Sequence, residues 1–230
     1  MVKNMFFGKK NKQEIVNQPV EKGSSLYNRL RDNVLHFSEN GKIKVIQIAS
    51  ANANENKALT TSNLAVSLGE IGKKVVVIDL DFASPKIQHF LNVEKANGIR
   101  EYALSSAEKK AVVKQTEYQN VSVITNGEID ITSTTSVIVS EKFKKLVEEL
   151  KNEFDFCLIN SAPILTSSDY INLSFLVDGA IFLVAHGETK KEKVEIAVKE
   201  LRKNGVNILG SVFTKYKKKK DLGCNYYTEM

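Results

Sequence analysis

The sequence is poor in the residues that staple or punctuate small folds. Its 230 residues include two cysteines (Cys157 and Cys224), three prolines, three histidines and no tryptophan. Two cysteines make no disulfide framework, and no CxxC pair or Cys/His cluster gives the spacing of structural zinc. His36, His89 and His186 are too scattered to form a metal set. No apolar run approaches the roughly 20 residues that cross a bilayer, the longest lying between Gly179 and Ala185. The first residues, through Phe6 and Phe7 to Lys9 and Lys10, have neither the apolar stretch nor the cleavage site of a secretory signal. The expectation is a cytoplasmic protein whose membrane contact is peripheral or made through a partner.

Apolar residues make up 42% and charged residues 26%, as in ordinary globular proteins. A chain of this length can bury a sufficient core without disulfides or metals. The net charge of +6 invites a nucleic-acid or anionic-membrane reading, but its distribution argues otherwise. Residues 1–22 hold five Lys and two Glu, and residues 215–230 hold five Lys, one Asp and one Glu. Each end is therefore +3, and the span between them sums to zero. The expected organisation is a basic flexible arm (1–24), one domain (25–214) and a Lys/Tyr-rich tail (215–230). The run Lys217 to Lys220 lacks regular aromatic interleaving, so a solvated tail is favoured over a nucleic-acid site, with weak anionic-membrane contact as a further option.

Along the body, short apolar runs alternate with amphipathic stretches. Val45 to Ala49, Val75 to Asp79, Val121 to Ile124, Phe156 to Ile159, Ala180 to Val184 and Val206 to Phe213 read as strands. Helical patterns begin at Leu26 and run over Thr60 to Ile71, Ser140 to Leu150 and Lys190 to Arg202, and Ser168-Asp169 opens a short one. Such alternation predicts a doubly wound, mostly parallel α/β sheet, while residues 92–120 are weakly patterned.

Ligands of such sheets bind at the carboxyl ends of strands, and three ends carry notable residues. Ser50-Ala51-Asn52-Ala53-Asn54-Glu55-Asn56-Lys57-Ala58-Leu59-Thr60-Thr61 has the setting of a phosphate-binding loop. A working loop places Gly before its Lys and Ser or Thr after it; here Asn56 and Ala58 stand there, and taken alone the segment reads as an ordinary connection. Asp79 and Asp81, two apart on an extended segment, could hold Mg²⁺ or take a proton from a hydroxyl, or could simply be a solvated strand end. Phe156 to Ile159 ends in Asn160 where a Walker B strand would carry an acid.

Together, in order and spacing, these segments resemble the bacterial tyrosine kinase (BY-kinase) family of the CpsD/CapB capsule type, deviant P-loop ATPases related to MinD and ParA. Ser50, Glu55, Lys57, Thr60, Asn63, Leu64 and Ala65 match its loop; Asp79 and Asp81 match its D-x-D-x-R, with Ala83 replacing the Arg; Pro163 and Asp169 match its later positions. The resemblance covers residues from about 25 to 214. It implies ATP and Mg²⁺ as cofactors, with Asn54, Glu55, Asn56, Lys57, Ala58 and Leu59 forming the phosphate loop. It further implies Asp79 as metal ligand, Lys57 and Asp81 as catalytic residues, and Tyr216, Tyr226 and Tyr227 as phosphoacceptors. The partner it implies is a transmembrane adaptor of polysaccharide export, at the inner face of the plasma membrane. Of the family's E-x-x-R-x-x-R assembly motif only Arg31 is present, opposite Ser25 and Asn28, which leaves homo-oligomer formation open.

Asn160 thus marks a degenerate Walker B strand, and Ala58 and Asn56 a degenerate loop. Phosphoryl transfer depends on positioning and charge neutralisation, so these losses favour a pseudokinase regulator of capsule or exopolysaccharide biosynthesis. Lys57, Asp79 and Asp81 keep an active autokinase as the alternative. A MinD/ParA-like positioning ATPase is disfavoured, since Asn52 stands where those proteins carry a second lysine.

Overall fold

In this computed structural model, residues 20, 22–39, 41–105, 107–128 and 134–215 are described. The expected arm and tail fall largely outside them. In chain order the described elements are α1 (Ser25–Phe37), β1 (Val45–Ser50), α2 (Lys57–Glu70), β2 (Val75–Leu80), α3 (Ile87–Phe90), α4 (Ile99–Leu104), α5 (Lys109–Val112), β3 (Lys114–Gln115), β4 (Val121–Ile124), α6 (Thr134–Ile138), α7 (Glu141–Glu153), β5 (Phe156–Ser161), α8 (Asp169–Leu173), β6 (Gly179–Ala185), α9 (Lys191–Lys203) and β7 (Ile208–Thr214). The strands form one sheet ordered β3-β4-β2-β5-β1-β6-β7, parallel except for β3 against β4. This is the doubly wound, mostly parallel sheet that the alternation predicts.

Every residue of β1, β2 and β5 is buried, which is why these strands read as continuous apolar runs rather than alternating ones. Successive side chains point to opposite faces. Val75 and Val77 therefore pack on one side with Ile46, Ile48, Leu158 and the α2 residues Leu64 and Leu68. Val76 and Ile78 pack on the other with Cys157, Ile159 and the α7 residues Phe143, Leu146 and Leu150. At roughly 25 cal/mol per Å² of apolar surface, these two layers supply the main folding drive.

The helix after β1 begins at Lys57, three residues before the Thr60 expected from its pattern. Its periodicity is muted because α1 covers its outer side: Ser67 Oγ donates to Asn28 Oδ1 at 2.8 Å, and only Glu70 of α2 is exposed. Ser140 caps α7 as expected, accepting from the Phe143 amide at 3.2 Å. The weakly patterned 92–120 region holds α4, α5 and the edge strand β3. Glu101 organises it, accepting from the Gly98 and Glu128 amides at 2.7 Å each. Its carboxylate lies where a Cβ on Gly127 (φ +89°) would sit.

The strand order sets the site. β5 lies between β1 and β2, and its register puts Asn160 beside both Ile48 and Asp79. The carboxyl ends of three strands far apart in sequence thereby meet.

Candidate phosphate-binding site

The connection from β1 to α2 curls through two left-handed residues, Asn54 (φ 65°) and Asn56 (φ 61°). Asparagine is among the few residues besides glycine that adopt this conformation readily. The backbone curvature of a glycine-rich phosphate loop is therefore retained at both substituted positions, while each adds a side chain beside it.

Glu55 fastens the loop. Its Oε1 accepts from the Asn52 amide at 3.3 Å, from Asn52 Nδ2 at 3.2 Å and from Thr189 Oγ1 at 2.7 Å. Its carbonyl accepts from Thr214 Oγ1 at 3.1 Å. The loop is thus tied to the turn after β6 and to the last residue of β7, so the chain leaves the sheet beside the loop on its way to the tail. Lys193 Nζ donates to Asn52 Oδ1 at 3.0 Å and adds α9 to the same cluster.

Lys57, Asp79 and Asp81 come together as the sequence predicts. Both aspartates are buried, which removes the alternative of a solvated strand end. Lys57 Nζ lies 3.5 Å from Asp81 Oδ2. Burial lowers the Lys57 pKa and raises that of Asp81; their mutual attraction opposes both shifts without reversing them. Asp79 is fully enclosed, and burial pushes its pKa to about 7. Its Oδ1 accepts from Asn160 Nδ2 at 2.8 Å and from the Asp81 amide at 3.2 Å, its Oδ2 from the Ile87 amide at 3.4 Å. With Asp79 ionised, the reverse orientation of the Asn160 amide would set two oxygens against each other; in this one, Asn160 Oδ1 is buried without a hydrogen-bond partner.

Two of the groups that a metal-served phosphate loop would offer a cation are absent here. Ala58 has no hydroxyl, and Asn160 brings an amide, its N–H donated to Asp79 Oδ1, where a carboxylate would stand. Among the described residues no group of three or more His, Cys, Asp or Glu side chains is arranged to hold a metal ion. The residues fit a phosphate better. Asn54, Asn56, Lys57, Asp81, Ser84 and Lys86 are among those lining a cavity of about 50 Å³ between the loop and the end of β2. That is far below the roughly 300–1,000 Å³ of pockets enclosing a whole small ligand.

Asp169, aligned by resemblance with a family acid, is not in this cluster: it accepts from Thr135 Oγ1 at 2.8 Å and Ser167 Oγ at 2.6 Å and ties α8 to α6. Lys86, Thr189, Thr214 and Asn126 were missed by sequence reasoning. Asn126 Nδ2 donates to the Asp79 carbonyl at 3.0 Å, and its place two residues past the end of β4 was the available signal. Tyr216, Tyr226 and Tyr227 lie outside the described residues.

Comparison with known proteins agrees with this architecture. A family model described as an AAA domain matches residues 43–185. The tyrosine-protein kinase CpsD of Streptococcus pneumoniae is 29% identical over 85% of this chain and 86% of its own. The tyrosine-protein kinase YwqD of Bacillus subtilis is 27% identical over 91% and 88%. In fold, the chimerical protein CapA2B2 superposes with a TM-score of 0.80 over 86% of this chain and 88% of that one, at 22% identity. MinD of Pyrococcus horikoshii, solved with Mg-ADP, reaches a TM-score of 0.65 over 77% and 72%, at 24% identity. The two structural matches speak for the fold alone. With the loop, the paired aspartates and their strand order in place, the chain belongs to the AAA domain family, within its bacterial tyrosine kinase branch of the CpsD/CapB type.

Proposed function

We propose that this chain is a pseudokinase of the BY-kinase type, a regulator in capsule or exopolysaccharide assembly with little or no ATP-dependent tyrosine autophosphorylation. The observation that carries the reading is the Asn160 Nδ2 contact with Asp79 at 2.8 Å. An amide N–H takes the place of a charge-bearing metal environment, and Ala58 removes the accompanying hydroxyl. Phosphoryl transfer is mostly positioning and electrostatic neutralisation, so both losses fall on the same requirement. A retained fold leaves intact the surfaces through which such a protein would engage its partner. That partner, by resemblance, is a transmembrane adaptor of polysaccharide export, which would hold the chain at the inner face of the plasma membrane. Among the described residues no helix is long and apolar enough to cross a membrane.

The alternative, an active autokinase, is favoured by one observation: Lys57, Asp79 and Asp81 are buried together at the strand ends. A positioning ATPase is disfavoured, because Asn52 is engaged by Lys193 where a second loop lysine would be needed. The test is phosphotyrosine detection on purified full-length protein given ATP and Mg²⁺, with and without the adaptor. The wild type is expected to stay unmodified. The combined variant Asn54→Gly, Asn56→Gly, Ala58→Ser, Asn160→Asp is expected to gain the modification. Phosphotyrosine on the wild type that is lost in Asp81→Ala would establish the autokinase instead.

A further inference from the structure

Three charged side chains line the cavity between the loop and the end of β2: Lys57, Lys86 and Asp81. Asp79 is fully buried and is not among the lining residues. Lys57 and Asp81 are paired at 3.5 Å, so their charges offset each other. Lys86, half-buried at the start of α3, makes lysines outnumber carboxylates among the lining side chains, while Glu55 and Asp79 act on Lys57 from behind the wall. The charge of Lys86 reaches Asp81, yet among the described residues it forms no ion pair. In a phosphate loop served by a metal ion, the ion neutralises the phosphates. Here Ala58 and Asn160 withhold two of the groups that would hold that ion, whereas a second cation is built into the wall.

We propose that this cavity binds the phosphate groups of a nucleoside di- or triphosphate without a divalent cation, Lys57 and Lys86 together supplying the charge that a metal ion would otherwise bring. When Lys57 turns to the anion, Asp81 loses its partner 3.5 Å away. Lys86 then remains to offset the charge of Asp81. With Lys57 alone, the entering phosphates would face an uncompensated carboxylate across a small, poorly hydrated space, where like charges repel strongly. Lys86 comes from the turn after β2, three residues beyond Ala83, so the turn that lacks the family's arginine still delivers a cation to the site. The inference rests on the reading that the metal-handling groups have been lost, but it is judged on binding, whereas that reading is judged on phosphotyrosine.

Isothermal titration calorimetry of the full-length protein tests it, with ADP and inorganic pyrophosphate as probes, each in EDTA and in MgCl₂. Either probe is expected to bind in EDTA at least as tightly as in MgCl₂, where the metal complexes part of each probe, and the difference between probes reports what the nucleoside adds. Lys86→Gln is expected to weaken binding about tenfold in both buffers, the scale of one charge-assisted contact, and Lys86→Arg to retain it. A thermal melt of Lys86→Gln matching the wild type ties that loss to charge rather than folding. The pair Ala58→Ser, Asn160→Asp is expected to make binding magnesium-dependent. Wild-type binding seen only with MgCl₂ overturns the proposal. So does unchanged affinity in Lys86→Gln, or no binding of either probe at millimolar concentration.

Discussion

Burial raises the Asp79 pKa from its ordinary 3.8 to about 7, even though Asn160 donates to it. The sign of the consequence follows from proton binding. Between about pH 4 and pH 7 the folded chain holds a proton at Asp79 that the unfolded chain has released. Stability from this group is therefore complete below pH 4 and lost as the pH rises to 7, by on the order of 4 kcal/mol. Urea unfolding at pH 4.5 and pH 7.5 checks this: the wild type should lose stability relative to Asp79→Asn at the higher pH, and a pH-independent difference would refute it. The left-handed asparagines carry a second prediction. Asn56→Ala should cost about 1–2 kcal/mol of stability, since alanine adopts φ near +60° poorly, while Asn56→Gly should be nearly neutral; thermal melts decide. The sequence made Lys57, Asp79, Asp81 and Asn160 legible because each ends a strand or opens a helix, where topology dictates the place. Lys86, Thr189 and Thr214 were not legible. They reach the site from turns and a strand end whose approach depends on tertiary packing, which no local pattern encodes.

At the scale of elements, α2 links the loop to the core, and Gly69 shows how tightly it is held. A Cβ at Gly69 would lie 2.4 Å from the Gln119 carbonyl oxygen and 2.9 Å from Val121 Cγ2. Alanine is worth about 1 kcal/mol over glycine inside a free helix. Here backbone lies in the way, and overpacking of this kind costs roughly 1–3 kcal/mol. Gly69→Ala should therefore lower the melting temperature despite its helix propensity, and a rise would show that the 118–120 turn yields easily. The same tightness explains what could be read beforehand. The central strands were legible because parallel strands covered on both faces must be apolar throughout. The start of α2 was not, because a helix enclosed by α1 and the sheet shows no wet face from which to count. β3 escaped for a different reason: two residues pairing antiparallel at an edge, Lys114 with Val123 and Gln115 with Ser122, carry too little pattern to register.

For the whole molecule, charge is divided by region rather than spread over a face. Residues 23–214 balance 23 basic against 23 acidic side chains, and the two ends carry the excess of +6. A neutral body with basic ends does not attract a polyanion along its surface, so electrostatic contact with an acidic partner or bilayer belongs to the ends. Lysines near an anionic surface contribute about 1 kcal/mol each, and salt screens that contribution. The run Lys217 to Lys220 is the densest such group, and it follows Thr214, which is fastened to the phosphate loop through the Glu55 carbonyl at 3.1 Å. A phosphate on Tyr226 or Tyr227 would add roughly −1.5 to −2 charges close by in sequence. The full chain should therefore sediment with phosphatidylserine vesicles at low ionic strength and be released by about 0.5 M salt, where the screening length falls to a few ångströms. Replacing Lys217, Lys218, Lys219 and Lys220 with alanine should remove most of this binding while leaving the thermal melt unchanged, because the residues lie beyond β7. Vesicle binding that survives both the substitution and the salt would place the contact on the neutral body instead, and would point to an apolar surface rather than a charged one.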